Sequence, residues 1–294
     1  GGRGESVWTS LAYATALPKV AELAETLGES RSAQTCRLWR RELEQALQEH
    51  AWNGRWFCRA FTDAGAPVGS PDAKYGRIFL LPQAWAILSG VADAEQTEAI
   101  LSACREHLQV EHGYLLLSPA WREYDPAIGL ISVRRPGVVE NGGNYCHGSA
   151  FMMAALCAAG RRDDALDLFE RLVPTNPANP PSRSTQEPFS MTNTYRSDEA
   201  GESAGRAMFS WRTGTAGWML RTAVEGILGV RAELSGLCVE RGMPTAWAEA
   251  TLHRRYRNKR LSIRFHRTGQ PSLTLEGRTI EGRSEEHTSE LQSL

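Results

Sequence analysis

Residues 140–172 read ENGGNYCHGSAFMMAALCAAGRRDDALDLFERL. The middle of this stretch, Ser149 to Ala158, is an apolar run that Gly160 stops, and Arg162 to Leu172 repeats its apolar residues at helical spacing. Two helices joined by so short a turn must lie antiparallel. A polar, glycine-rich segment leads into the first of them.

The same arrangement recurs on both sides. Val7, Leu11, Ala14 and Leu17, continued by Val20, Leu23 and Leu27 and closed by Gly28, define a first helix that Pro18 is expected to kink or split. A second runs roughly from Ser32 to Glu49, a third from Pro82 to Ser89 before Gly90, and a fourth from about Ala94 to Glu106. The seventh covers about Thr215 to Leu228 and stops at Gly229. Long connections follow the pairs, from Trp52 to Leu80, Gly113 to Asn144 and Pro174 to Arg212, and loops of that length usually carry function. Short and long links in alternation predict a toroid of paired helices with its long loops at one mouth. After Leu237 the period becomes alternating, in Thr251–Tyr256, Leu261–His266 and Ser272–Leu275, broken by Asn258 and by Gly269–Pro271. Arg254, Arg255, Arg257, Lys259 and Arg260 there read as basic side chains on the wet faces of strands.

Composition narrows the partners. The 294 residues include 33 basic and 34 acidic ones, a net charge of −1 that offers nothing global to nucleic acid. No apolar run reaches the ~20 residues that span a bilayer, so no membrane partner is expected. The six cysteines are spread singly, without the paired spacing that holds zinc, and read as reduced thiols of a cytoplasmic protein. P-loop, dinucleotide-binding and His-Glu-x-x-His signatures are absent, so no cofactor or metal is expected. Both ends look truncated. The chain lacks an initiator Met, and residues 283–294 (RSEEHTSELQSL), similar to translated sequencing adapter, read as a non-native tail.

Three segments carry the polar chemistry. Glu140, Asn141, Asn144 and His147 surround paired glycines that let a ligand approach the backbone, although an elaborate helix cap would look the same. Ser210 to Trp218 runs from a long loop into the seventh helix, where free N–H groups and the dipole favour an anion, and Gly214 removes a steric bar. A threonine cap is the alternative there, and Arg212 points toward or away from the site. The third segment is Glu187 to Asn193. Of the nine tryptophans, Trp8, Trp39 and Trp85 fit helical cores, whereas Trp121 and Trp211, on long loops, are expected to touch substrate.

Taken together, GESVW (4–8), PQAWAILSG (82–90), VENGGNYCHG (139–148), QEPFSMTN (186–193), SWRTGTAGWMLR (210–221) and EGILGVR (225–231) resemble glycoside hydrolase family 94 over nearly the whole chain to Gly282. These are inverting phosphorylases of cellobiose, chitobiose, cellobionic acid and related β-linked sugars. The resemblance implies a mainly α fold: a partial (α/α)6 barrel over residues 1–236, followed by a small β-rich C-terminal module over 237–282. It also implies that His147, Asn193, Thr213 and Gly214 bind phosphate, with Asn193 standing where many members have Gln. Glu140, Asn141, Glu187 and Arg212 are the expected substrate-binding residues. Val139 replaces a Lys found in some cellobiose-acting members, so the acceptor site is not carried over, and Arg134 and Arg135 stand nearby.

The family's general acid, an aspartate in a DWND-like motif before GESVW, is expected upstream of Gly1. The implied reaction has phosphate attack the anomeric carbon while a carboxylic acid protonates the leaving oxygen. Its partners are a small β-linked oligosaccharide and inorganic phosphate as co-substrate, and family members are often homodimers. The chain alone is expected to lack turnover. Two alternatives remain: an inverting hydrolase with Glu140 or Glu187 as base, and a non-catalytic sugar- or phosphate-binding fragment.

Overall fold

The computed structural model describes residues 2–234, 236–240 and 242–267, and the backbone of 273–275 and 278–280. Its helices are α1 (Val7–Thr26), α2 (Ser30–His50), α3 (Leu80–Ser89), α4 (Ala94–His107), α5 (Leu130–Val133), α6 (Cys146–Ala158), α7 (Arg162–Leu172), α8 (Pro181–Ser184) and α9 (Thr215–Thr222). The fold is mainly helical. Helices α1, α3, α6 and α9 each pack on the next, while α2, α4 and α7 return against α1, α3 and α6. A cavity of about 1070 Å³ opens among the first set, lined by Thr15, Trp85, Cys157 and Trp218.

Local chemistry explains each boundary. Ser6 caps α1 by accepting the Thr9 N–H, and Asp93 with Gln96 forms a reciprocal capping box on α4. Helix α1 passes through Pro18 unbroken, correcting the expected split. Proline removes the N–H that would reach the Ala14 carbonyl four residues back, and Arg40 of α2 donates to that carbonyl at 3.3 Å. Gly28, at φ 77°, closes the helix, with its N–H on the Glu25 carbonyl and the Glu29 N–H on that of Ala24. The buried stripe beyond Pro18 is Ala21 and Ala24, packed on Ala33 and Cys36, while Val20, Leu23 and Leu27 face water. Both stripes have helical spacing, and the smaller side chains admit the closer helix.

Helix α6 starts at Cys146, three residues earlier than its apolar run indicates, which moves His147 from the loop into the first turn. Helix α9 runs on through a π-helical turn, Ala223–Ile227. A Cβ on Gly226 would lie 2.8 Å from the Cys157 Sγ, so only glycine lets this turn rest on α6. Gly229, at φ 68°, follows.

The later strands, Glu249–Tyr256 and Lys259–His266, form a hairpin whose two-residue turn has Arg257 and Asn258 at φ 42° and 64°. Both strands exceed their expected length. Arg254 lies on the inner face and donates to the Val230 carbonyl at 2.7 Å, unlike its exposed neighbour Arg255. Leu273–Leu275 pairs with Arg278–Ile280, whereas Gly269–Pro271 and the tail 283–294 lie outside the described residues. Two tryptophan expectations fail. Trp121 is buried beneath Gly76, where any Cβ would strike its ring, and Trp39 is 48% exposed on α2.

One buried polar side chain ties the core to the first long loop. Gln83 is fully buried on α3; its Oε1 accepts the Phe57 N–H, and its Nε2 donates to the carbonyls of Phe57 and Phe79. Gln83→Leu strands these backbone groups in an apolar setting and should lower the unfolding free energy by about 3 kcal/mol. Urea denaturation measures this; a loss near zero would mean that water replaces the amide.

Candidate phosphate and sugar site

A small antiparallel sheet assembles the site. Asn144–Tyr145 pairs with Thr194–Tyr195, which pairs with Ala207–Met208. At its end the Cys146 N–H donates to the Asn193 carbonyl at 2.9 Å, fastening the start of α6 to the Glu187–Asn193 segment. The same segment holds α9, because the Thr215 hydroxyl donates to the Thr192 carbonyl at 3.1 Å. Thr213 Oγ1 lies 2.7 Å from Thr215 Oγ1 and accepts the Thr215 N–H. The starts of α6 and α9 therefore meet.

His147 and Gly214 stand at that meeting point. A Cβ on Gly214 would fall 2.9 Å from both Cε1 and Nε2 of His147, closer than a side chain can come. The imidazole packs on Phe151 at 4.5 Å between ring centroids. Its Nε2 is buried and has no hydrogen-bond partner, and burial pushes its pKa below the usual histidine range. On α9, Ala216 and Gly217 sit in the first turn, where N–H groups have no partner within the helix, and Gly217 faces open space. Asn193 hydrogen-bonds the Tyr145 hydroxyl through its side chain. The four expected phosphate residues thus lie where the starts of α6 and α9 meet, with the side chains of Thr213 and Asn193 already engaged by Thr215 and Tyr145. Among the described residues, no three His, Cys, Asp or Glu side chains gather as metal ligands.

The expected substrate residues divide. Asn141 is fully buried, and its amide is spent on Trp121 N–H and C=O and on the Arg134 carbonyl, so it shapes the loop. Glu140 pairs with Arg134 at 2.9 Å, both partly exposed. Glu187 is held below the usual carboxylate range by its own backbone N–H and by the Ser190 hydroxyl at 2.9 Å, with further hydrogen bonds from the side chains of Ser210 and Trp211. It bridges the second and third motifs. Arg212 is exposed. Sequence reasoning missed Thr192 and Thr215, whose hydroxyls link the loops, and the exposed rings of Phe189, beside Trp211, and Phe209.

His112 joins His147 in having its pKa lowered by burial. Between such a folded value and the ordinary one near 6.5 the unfolded chain binds more protons, so stability rises with pH and is lost as pH falls. Unfolding free energy should therefore drop from pH 7 to 5, where most carboxylates stay ionised, and drop less in the His112→Asn, His147→Asn double variant. Equal slopes in denaturant titrations across that window would contradict the burial of both rings.

Residues 1–229 match the family described as the Glycosyl hydrolase 94 superfamily, catalytic domain. Solabiose phosphorylase of Paenibacillus borealis is 37% identical over 288 residues, 96% of this chain and 37% of that protein. The 3-O-beta-D-glucopyranosyl-beta-D-glucuronide phosphorylase of the same organism is 37% identical over 90% of this chain and 34% of its own length. Cellobionic acid phosphorylase of Neurospora crassa is 30% identical over 93% and 35%. The chain spans about a third of the length of these relatives. Among solved structures, a sialidase superposes at TM-score 0.64 with 12% identity, over 90% of this chain and 24% of that one, a likeness of fold alone. On the match over residues 1–229, the chain belongs to the glycosyl hydrolase 94 superfamily through its catalytic domain.

Proposed function

We propose that the junction of α6 and α9 is the phosphate side of an inverting phosphorolysis, in which a β-linked, cellobiose-like disaccharide yields an α-sugar 1-phosphate and a free sugar. One observation carries this reading. The buried, partnerless Nε2 of His147 lies against the backbone of Gly214 at the start of a helix. An oxyanion there would satisfy the ring nitrogen and the first-turn N–H groups together, and Thr213 and Asn193 add polar groups at the rim. The phosphorylases among the relatives support the same reading.

Phosphate is an anionic nucleophile and needs no general base. Preorganised donors hold it in line with the anomeric carbon, and inversion follows from attack on the face opposite the leaving oxygen. The leaving oxygen takes its proton from a carboxylic acid, which in this reading stands outside the 294 residues. By itself the chain then binds phosphate without turnover, and no cofactor takes part. The arc of α1, α3, α6 and α9 is part of an (α/α)6 barrel in this proposal, with residues 237–282 as an appended β module. The whole protein is then a cytoplasmic homodimer.

A hydrolase on the same frame fits less well. It needs a carboxylate base, yet Glu140 is ion-paired to Arg134 and Glu187 is held ionised by hydrogen bonds, which weakens it as a base.

Calorimetric titration with inorganic phosphate tests the proposal. The chain should bind phosphate, and His147→Ala and Gly214→Ala should each weaken binding at least about tenfold, the cost of one charge-assisted hydrogen bond. Circular dichroism should stay unchanged. Affinity for phosphate that is indifferent to both substitutions would overturn the assignment.

A further inference from the structure

We infer that Trp211, with Phe189 beside it, is a stacking shelf for the sugar ring that bound phosphate attacks; this rests on the phosphorolysis reading above. Phe189 is 75% exposed and Trp211 66%, with ring centroids 6.1 Å apart at 52°. Aromatic rings of this size normally dominate cores, so two of them side by side in water call for an occupant.

The backbone bears a cost to hold them there. Phe209 and Trp211 both lie in the left-handed region, at φ 60° and 68°, where bulky residues are strained. Between them Ser210 turns toward the Glu187 carboxylate, which also hydrogen-bonds the Trp211 side chain. The Trp211 N–H donates to the Met191 carbonyl at 3.3 Å. With its polar edge engaged by Glu187, the indole keeps its faces for another partner.

Position identifies that partner. Trp211 is two residues before Thr213, so its backbone lies within about 7.6 Å of the phosphate locus along the chain. Phosphate must come within about 3–3.5 Å of the anomeric carbon to react. A pyranose in that position lies within reach of the shelf, and the C–H groups on its face complement the negative face of an indole ring.

The test is calorimetry with three probes: inorganic phosphate, methyl β-D-glucopyranoside and α-D-glucose 1-phosphate, against the 294-residue chain and its Trp211→Ala and Trp211→Phe variants. Trp211→Ala should keep phosphate affinity within about twofold and weaken α-D-glucose 1-phosphate by about tenfold, and Trp211→Phe should recover most of the loss. Circular dichroism confirms that each variant is folded. Unchanged binding of the sugar phosphate overturns the shelf, as does an equal loss for all three probes, which would make Trp211 a support for the loop. Binding of the glucoside that depends on Trp211, in a chain that takes no phosphate, keeps the shelf and removes the phosphorolysis reading. A folded chain that binds neither sugar probe overturns the shelf.

Discussion

The closeness of the His147 imidazole to Gly214, where a Cβ would fall 2.9 Å from the ring, is the constraint on which the site depends. Two helix starts can meet only where one of them lacks a side chain. This approach brings the ring to the start of α9 and leaves Nε2 buried and without a partner. A buried polar nitrogen without a partner is costly, and an oxyanion at the helix start would remove that cost.

The surrounding structure holds this arrangement in place. The Thr194–Tyr195 strand lies between Asn144–Tyr145 and Ala207–Met208, so three distant segments share one sheet and none can shift alone. Hydrogen bonds from Cys146 to Asn193 and from Thr215 to Thr192 transmit that register to α6 and α9. Behind the helices, Leu80, Met152, Met153 and Leu172 form part of a continuous buried core that fixes the angle at which α6 arrives. Loops supply the polar groups, and the paired helices supply the rigidity that loops lack.

Much of this was legible in the residue pattern, and the failures have physical causes. Glycine stops at 28, 90, 160 and 229 marked helix ends because left-handed backbone favours glycine there. That His147, Thr213 and Gly214 belong near helix starts was legible because they sit in motifs that run directly into helices; that the two starts meet was not. Periodicity could not choose between the two apolar stripes of α1, since both repeat every three or four residues. Nor could it foresee that Arg40 would take the carbonyl freed by Pro18, a contact between residues 26 positions apart. Asn141 looked like a ligand for the same reason that it works as a tie: an amide satisfies backbone as readily as sugar. The exposed rings at 189 and 209 were invisible because nothing in Phe itself signals a strained or solvent-facing backbone.

The central claim is that phosphate contacts His147. It is tested most directly by the imidazole nitrogen shifts of His147, followed by NMR as inorganic phosphate is added at several pH values. A dianion against Nε2 should move that resonance selectively and raise the pKa of the ring from its burial-lowered value. A His147 signal and titration curve unmoved by saturating phosphate, in a folded chain, would contradict the account.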